Sequence, residues 1–233
     1  MDETKARSSP RTRYLIREIL GLFGMGVALF WSAGRIDWWQ AWADLAVMTV
    51  WTTATAVIVL HYNPDLLVER MDRRSGEKNW DVAIVASMGL ITLIRYIVAG
   101  LDQRYGWTGS IPLSVQWAAL AICVLGYDFL FVWATAANAF FSRIVRIQSE
   151  RGHAVVNSGP YRFVRHPAYL GAILYELAVS FLLTSWPAFL VSCISASLLI
   201  IRTTLEDRTL QAELTGYADY ARQVRYRLLP GIW

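Results

Sequence analysis

The chain has 233 residues, of which 55% are hydrophobic and only 17% are charged. Together with a mean hydropathy of +0.35, this composition excludes an ordinary soluble domain. The net charge of +4 does not indicate a nucleic-acid partner, because loops that face an anionic lipid surface account for it. We therefore predict an all-α, polytopic membrane protein that contacts membrane lipids and binds no nucleic acid.

Six apolar runs approach the roughly 20 residues that a transmembrane helix needs. They cover residues 15–33, 39–60, 81–100, 113–140, 169–186 and 187–205. Pro187 separates the last two runs and predicts a tight hairpin, so we expect about six spans, or five if this pair is re-entrant. Three small residues in the first run predict close helix packing there, namely Gly21, Gly24 and Gly26.

The basic residues are distributed unevenly among the loops. All 22 of them except Arg35, Arg95 and Arg104 precede the first run, follow the second or fourth, or lie at or beyond the end of the last. Because Lys and Arg collect in cytoplasmic loops, we expect both termini to be cytoplasmic and the protein to lie in the cytoplasmic (inner) membrane. Cys123 and Cys193 lie in apolar runs and are expected to be free thiols.

The most distinctive motif is the string at residues 159–171, Gly-Pro-Tyr-Arg-Phe-Val-Arg-His-Pro-Ala-Tyr-Leu-Gly. Pro167 suits a first helical turn and biases His166 away from helical geometry, which places a helix N-terminus that favours anions here. Arg165 and His166 add side-chain donors, and Tyr161 and Tyr169 add flat faces. A zwitterionic ligand that carries a purine would use all of these groups. Alternatively, the Arg165–His166 pair only contacts lipid phosphate.

Two further residues lie near the end of the last run. Arg202 and Glu206 are four residues apart and share one helix face, which predicts an ordinary ion pair at the helix end. Beside a cofactor, Glu206 could instead bind a ribose hydroxyl or an amine, and Arg202 could orient an anionic acceptor. The residues alone leave both interpretations open.

Four ionisable residues lie inside the predicted spans, where charges are costly and are often functional. Asp44 and Arg95 lie at a similar depth and predict a structural ion pair. Asp128 and Glu176 lie nearer the cytoplasmic side, and two interpretations are open for them. They could line an acceptor cavity as substrate-contacting residues, or they could form hydrogen bonds to neighbouring helices.

The last 85 or so residues resemble the isoprenylcysteine carboxyl methyltransferase and phospholipid methyltransferase group of integral-membrane enzymes. The resemblance rests on the 159–171 string, the Arg202/Glu206 pair and a tail that ends in Arg-Leu-Leu-Pro. Asp207 stands where such sequences usually have a second Glu. The resemblance implies a polar segment at residues 1–13, helices at 14–140 that shape an acceptor tunnel, and a cofactor-binding region at 141–233.

In such enzymes the C-terminal half forms a cytoplasmic-side pocket for S-adenosylmethionine (S-adenosyl-L-methionine). The resemblance and the motif chemistry assign twelve residues to the cofactor: Gln148, His153, Ala154, Val155, Val156, Tyr161, Arg165, His166, Pro167, Ala168, Tyr169 and Glu206. Arg202 and Glu206 would be the catalytic residues, with Arg202 facing the acceptor, and no metal is expected.

The implied function is methyl transfer to a lipophilic small molecule or lipid, by O-methylation of a carboxyl group or N-methylation of an amine. Alignment of acceptor, methyl group and leaving sulfur is the main demand of such a transfer. Two alternatives remain: an NADPH-dependent membrane reductase with an architecture like that of sterol reductases, and a non-catalytic membrane scaffold.

Overall fold

A computed structural model describes residues 9–71 and 76–233, and within them every regular element is a helix, which confirms the all-α prediction. The α-helices are α1 (Pro10–Ala33), α2 (Trp39–Val57), α3 (Asp65–Met71), α4 (Asn79–Tyr105), α5 (Leu113–Cys123), α6 (Val132–Ala137), α7 (Pro167–Leu182), α8 (Trp186–Glu213) and α9 (Tyr217–Gln223). Two π-helical segments, Ile58–Tyr62 and Val124–Phe131, continue α2 and join α5 to α6. Lys5, Arg7, Arg73 and Arg74, which contribute to the charge bias, lie outside the described residues.

Within the described residues, five helices are long and apolar enough to cross a membrane: Pro10–Ala33, Trp39–Tyr62, Asn79–Tyr105, Leu113–Ala137 and Trp186–Glu213. Helix α7 is shorter, with 16 residues. At ~1.5 Å per residue it measures about 24 Å, less than the ~30 Å hydrocarbon core. The hairpin prediction is confirmed, because α7 ends at Leu182 and α8 begins at Trp186, where Ser185 caps the helix by accepting a hydrogen bond from the Ala188 N–H.

Exposed aromatic residues collect at one end of the bundle, where α1 and α4 end and α2, α5 and α8 begin. The exposed tryptophans there are Trp31, Trp39, Trp42, Trp107, Trp117 and Trp186. Tryptophan is enriched at membrane–water interfaces, so these residues define one interface of the bundle. The other end carries the connections rich in basic residues and, as described below, a polar cavity.

Close helix packing occurs elsewhere than at the predicted glycines. Nothing lies within 4 Å of the Cβ position of Gly21 or Gly24. The close approach of α1 and α4 uses Gly100 instead, whose Cβ position would lie 2.7 Å from the Leu29 carbonyl oxygen. The prediction that the first-span glycines pack closely is therefore wrong for Gly21 and Gly24, because both face outwards, and for Gly26 the contact is an ordinary one at 3.5 Å.

A close backbone contact joins Gly126, in the π-helical segment, to Gly171 of α7. A Cβ atom on Gly126 would lie 2.5 Å from the Gly171 carbonyl oxygen. We expect Gly126→Ala to lower the free energy of unfolding in detergent by about 1–3 kcal/mol, because the backbones must separate. Gly89→Ala, on open surface of α4, is the control and should leave thermal unfolding unchanged or slightly raise its midpoint; equal midpoints for the two variants would contradict the assignment.

A buried polar cluster lies within the spans. Arg95 of α4 forms an ion pair with Glu176 of α7, and both side chains are at most 4% exposed. Asp44 instead accepts a hydrogen bond of 2.6 Å from the Tyr175 hydroxyl, which also contacts the Tyr96 hydroxyl at 2.9 Å. The predicted Asp44–Arg95 ion pair is therefore wrong, because α7 brings a second carboxylate to the arginine.

Candidate active site

A cavity of about 770 Å³, including the part open to solvent, lies at the end of the bundle opposite the tryptophans. Its walls come from the 138–146 loop, the 153–156 segment, the 161–169 segment, the last turns of α8 and the α9 region. The lining is Asn138, Phe140, Phe141, Ser142, Val145, Arg146, His153, Ala154, Val155, Val156, Tyr161, Arg165, His166, Ala168, Tyr169, Arg202, Glu206, Leu210, Leu214, Tyr217 and Tyr220. Folding thus brings together most of the site residues inferred from the sequence.

Four of the inferred residues are not part of this lining. Gln148 is fully buried behind the wall, where its amide donates to the Phe140 carbonyl at 2.8 Å. Pro167 occupies the first turn of α7, as predicted, and is buried. Glu176 is paired with Arg95 deeper in the bundle, and Asp128 lies in the π-helical segment. The substrate role of Glu176 and Asp128 stays a prediction.

The tail holds the motif string in place through backbone hydrogen bonds. The N–H groups of Arg165 and His166 each donate to a tail carbonyl at 2.9 Å, those of Tyr226 and Arg227. These two N–H groups are therefore not available to an anionic ligand, which corrects the expectation that the turn would present them. The first turn of α7, beginning at Pro167, keeps N–H groups that the helix itself cannot satisfy.

Asp207 of α8, which is fully buried, is the hub beneath the cavity. It accepts hydrogen bonds from the Arg165 Nε at 2.8 Å, the Arg227 Nε at 2.8 Å and the Tyr217 hydroxyl at 3.0 Å. The His166 Nε2 lies 3.3 Å from the same carboxylate. One acidic side chain thus joins the motif string, α8 and the tail. Arg165 was inferred to bind the cofactor, but its guanidinium donates hydrogen bonds to Asp207 and to backbone carbonyls of the tail.

Arg202 is held edge-on by Asp81, a fully buried residue of the first turn of α4. The Arg202 Nε and Nη2 lie 2.7 and 2.9 Å from the two Asp81 carboxylate oxygens. Asp81 also accepts a hydrogen bond of 2.7 Å from the Val145 N–H, and so docks the 138–146 loop. The predicted ion pair between Arg202 and Glu206 is wrong, because Asp81 takes the guanidinium.

Glu206 faces the cavity beside two aromatic rings. Its carboxylate accepts a hydrogen bond from the Tyr169 hydroxyl. The Tyr169 ring lies parallel to the His166 ring, with centroids 5.7 Å apart, and the Arg202 guanidinium lies 5.1 Å from the Tyr169 centroid. The inferred catalytic pair, Arg202 and Glu206, is therefore connected through Tyr169 rather than directly.

His153 is stacked on Phe140 with ring centroids 4.6 Å apart. Burial, together with the positive charges of Arg146 and Arg151, lowers the pKa of His153 to about 4. Because the unfolded chain binds a proton on this histidine near its ordinary pKa of ~6.5 while the folded protein does not, stability falls as pH drops from ~6.5 to ~4. Above pH ~6.5 the histidine is neutral in both states, so its burial no longer makes the stability depend on pH.

We expect His153→Gln to flatten the decline of the unfolding midpoint between pH 6.5 and 4, measured by thermal unfolding in detergent. His61 lies in an exposed position and serves as the matched control in His61→Gln. An unaltered pH profile in His153→Gln would show that this ring is charged in the folded protein.

Sequence reasoning missed the 138–146 loop and Asp81. The loop follows α6 without a distinctive motif, and Asp81 looks like an ordinary acidic residue in a first helical turn. A basic residue near the end of the last run, Arg202, was the one available signal that a buried acid had to lie nearby.

Comparisons with known proteins agree with this architecture. Residues 119–212 match the model of the isoprenylcysteine carboxyl methyltransferase (ICMT) family. A solved structure of the eukaryotic intramembrane Ras methyltransferase ICMT superposes with a TM-score of 0.54 over 92% of this chain and 72% of that chain, at 18% identity. Over residues 119–212 the chain is similar to the ICMT family, and its helical fold is like that of this membrane enzyme. The structural match concerns the fold, and it extends the likeness across the N-terminal helices that the family model does not reach.

Individual relatives are distant from this chain in sequence. The protein-S-isoprenylcysteine O-methyltransferase of Dictyostelium discoideum is 23% identical over 177 residues, which cover 75% of this chain and 70% of the relative. The Schizosaccharomyces pombe enzyme of the same name is 29% identical over 118 residues, about half of each chain (50% and 49%). The lamin-B receptor of Drosophila melanogaster is 26% identical over 165 residues, and the chain spans only 22% of its length.

Proposed function

We propose that the protein is an S-adenosylmethionine-dependent methyltransferase that acts on a lipophilic acceptor at the cytoplasmic face of the inner membrane. The observation that carries the proposal is the cavity in which the motif string, Arg202 and Glu206 come together. Support for the reaction class comes from the family model and from relatives whose names state methyl transfer. The basic connections at this end of the bundle support its cytoplasmic orientation.

The cavity suits the proposed cofactor. The first turn of α7 offers N–H groups to a carboxylate, and Glu206 offers an acceptor to an amine or a ribose hydroxyl. The Tyr161 and Tyr169 rings offer flat faces to an adenine or a cationic sulfonium group. When bound, S-adenosylmethionine supplies a methyl group that its sulfonium centre already activates.

The cavity residues that are not assigned to the cofactor have to orient the methyl acceptor. Asp81 occupies the Nε and Nη2 of Arg202, and among the described residues no hydrogen bond uses its Nη1. Arg202 can therefore hold an acceptor carboxylate end-on through Nη1. A carboxylate nucleophile needs no base. An amine, by contrast, would have to lose a proton to a nearby group, and the Glu206 carboxylate already accepts a hydrogen bond from the Tyr169 hydroxyl.

We therefore propose a carboxylate acceptor with an apolar chain, of which an isoprenylated cysteine is the example that the relatives' names provide. Amine methylation is the competing outcome. The apolar part of the acceptor would reach the cavity from the lipid, past the phenylalanines of the 138–146 loop, Phe140 and Phe141.

A reductase is less well supported by the charges of the cavity. The 2′-phosphate of NADPH would need a free basic site. The arginines of the lining have carboxylate partners: Arg165 with Asp207, Arg202 with Asp81 and Arg146 with Glu150. This pairing leaves the described lining poor in available cations.

Calorimetric titration of the detergent-purified protein with S-adenosylhomocysteine and, separately, with NADPH tests the cofactor. We expect S-adenosylhomocysteine to bind and NADPH not to bind. His166→Ala and Glu206→Ala should abolish binding, and the control Asp219→Ala, at an exposed acid of α9, should bind like the wild type. Binding of NADPH alone would indicate a reductase. Binding of neither ligand would favour the non-catalytic membrane scaffold.

A further inference from the structure

A second cavity lies on the lipid-facing side of the bundle, far from the proposed active site. It is a groove of about 770 Å³, including its open side, between α1 and α4. We call it the α1–α4 groove. Its apolar walls include Val27, Trp31, Leu93 and Ile97, and Gly24 leaves a gap in the α1 wall. The groove runs along α4 from Leu93 to Arg104, about 16 Å at ~1.5 Å per residue.

The groove ends at a cation. Arg104 lines its end, is exposed, and forms no ion pair with any acid in the described parts of the chain. Its guanidinium lies beside the C-terminal end of α1, where the Cβ position of Gly34 would be 3.5 Å from the Arg104 Cζ. The neighbouring exposed tryptophan, Trp31, is 83% exposed and belongs to the aromatic residues that define this membrane interface.

The other arginine at this end is already neutralised. Arg35 contacts both carboxylate oxygens of Asp37, each at 2.7 Å. Among the described residues Arg104 thus has no carboxylate partner, and its guanidinium lies over the Tyr105 ring, with the Cζ 5.7 Å from the ring centroid. Arg104 lies at headgroup level, at the mouth of an apolar groove about half as long as the ~30 Å hydrocarbon core. The acyl chains of one leaflet fill about half of the hydrocarbon core, so the groove matches one leaflet in length.

We propose that the α1–α4 groove is a binding site for one anionic phospholipid of the leaflet opposite the active site. An acyl chain lies along Gly24, Val27 and Ile97, and the phosphate of the headgroup contacts Arg104. A basic residue near a membrane surface favours an anionic over a zwitterionic lipid by about fivefold. The site is independent of the proposed methyl transfer, since it shares no residue with the cavity at the other end.

Native mass spectrometry of the detergent-purified protein with equal amounts of phosphatidylglycerol and phosphatidylcholine tests the proposal. We expect Arg104→Gln to retain one phosphatidylglycerol fewer than the wild type, or to bind it about fivefold more weakly. Arg35→Gln is the matched control and should retain the wild-type number. Lipids that bind to the basic face at the other end are common to all of these proteins and cancel in the comparison.

The apolar part of the site has its own pair of variants. Gly24→Leu places a side chain in the groove from a Cβ position with no atom within 4 Å, whereas Gly89→Leu places one at an equally open Cβ position of α4 outside the groove. We expect Gly24→Leu to lose the bound lipid and Gly89→Leu to keep it, with equal unfolding midpoints. Equal lipid retention by Arg104→Gln and Arg35→Gln, or by the two leucine variants, would overturn the proposal.

Discussion

Replacing Asp207 by alanine is expected to abolish S-adenosylhomocysteine binding and to lower the free energy of unfolding by about 3–5 kcal/mol. The carboxylate is fully buried and joins Arg165, Arg227 and Tyr217. Without it, the buried Arg165 and the partly exposed Arg227 lose their acceptor, and the tail loses its attachment to the motif string. Calorimetric titration and thermal unfolding of the same preparation measure the two effects together.

Two further variants separate the charge of Asp207 from its size. Asp207→Asn keeps the shape but removes the charge, so it should lose most of the stability that Asp207→Ala loses. Asp219→Ala removes an exposed carboxylate whose ion pair with Arg222 is worth little, and should bind ligand normally. A wild-type unfolding midpoint for Asp207→Asn would contradict the electrostatic role.

Replacing Glu176 by methionine alone is expected to cost about 3–5 kcal/mol, because it leaves the buried guanidinium of Arg95 without its counter-charge. The ion pair lies between α4 and α7, with both side chains at most 4% exposed. Replacing both residues by methionine should recover most of that loss, since two apolar side chains of similar volume can pack in the same space.

The comparison between the single and double variants decides the role of Glu176. A structural ion pair predicts destabilisation in Glu176→Met, recovery in the double variant, and S-adenosylhomocysteine affinity close to wild type in the latter. If the double variant is as stable as the wild type but loses methyl transfer while it keeps the cofactor, Glu176 contacts the acceptor, as the sequence suggested.

The apolar runs were sufficient to predict the helices, Pro187 to predict the hairpin, and Pro167 to predict the first turn of α7. Both features act locally: a span needs length and hydropathy, and proline acts on the residues beside it. The ion pairs could not be predicted in the same way. Depth along the helix axis suggested Asp44 as the partner of Arg95, but it cannot tell which helices are neighbours, and α7 supplies Glu176 instead.

The partners of the acids beneath the cavity could not be predicted either, because they also depend on which elements are neighbours. Asp207 contacts Arg165, 42 residues earlier, and Asp81 contacts Arg202, 121 residues later. In the sequence Asp207 is a mild departure from a Glu-Glu pair, and Asp81 is one acid among several. Their importance comes from complete burial, which depends on how the loop, α8 and the tail pack together.

The proposed methyl transfer to a lipophilic acceptor is tested most directly by a transfer assay. The purified protein is incubated with S-adenosylmethionine that carries a labelled methyl group, with N-acetyl-S-farnesylcysteine and with a membrane lipid extract. We predict label in the organic phase that base releases as methanol, as a carboxyl ester requires, and its loss in Glu206→Ala but not in Asp219→Ala. Base-stable label would indicate an amine acceptor, and no transferred label from a protein that binds S-adenosylhomocysteine would contradict the claim.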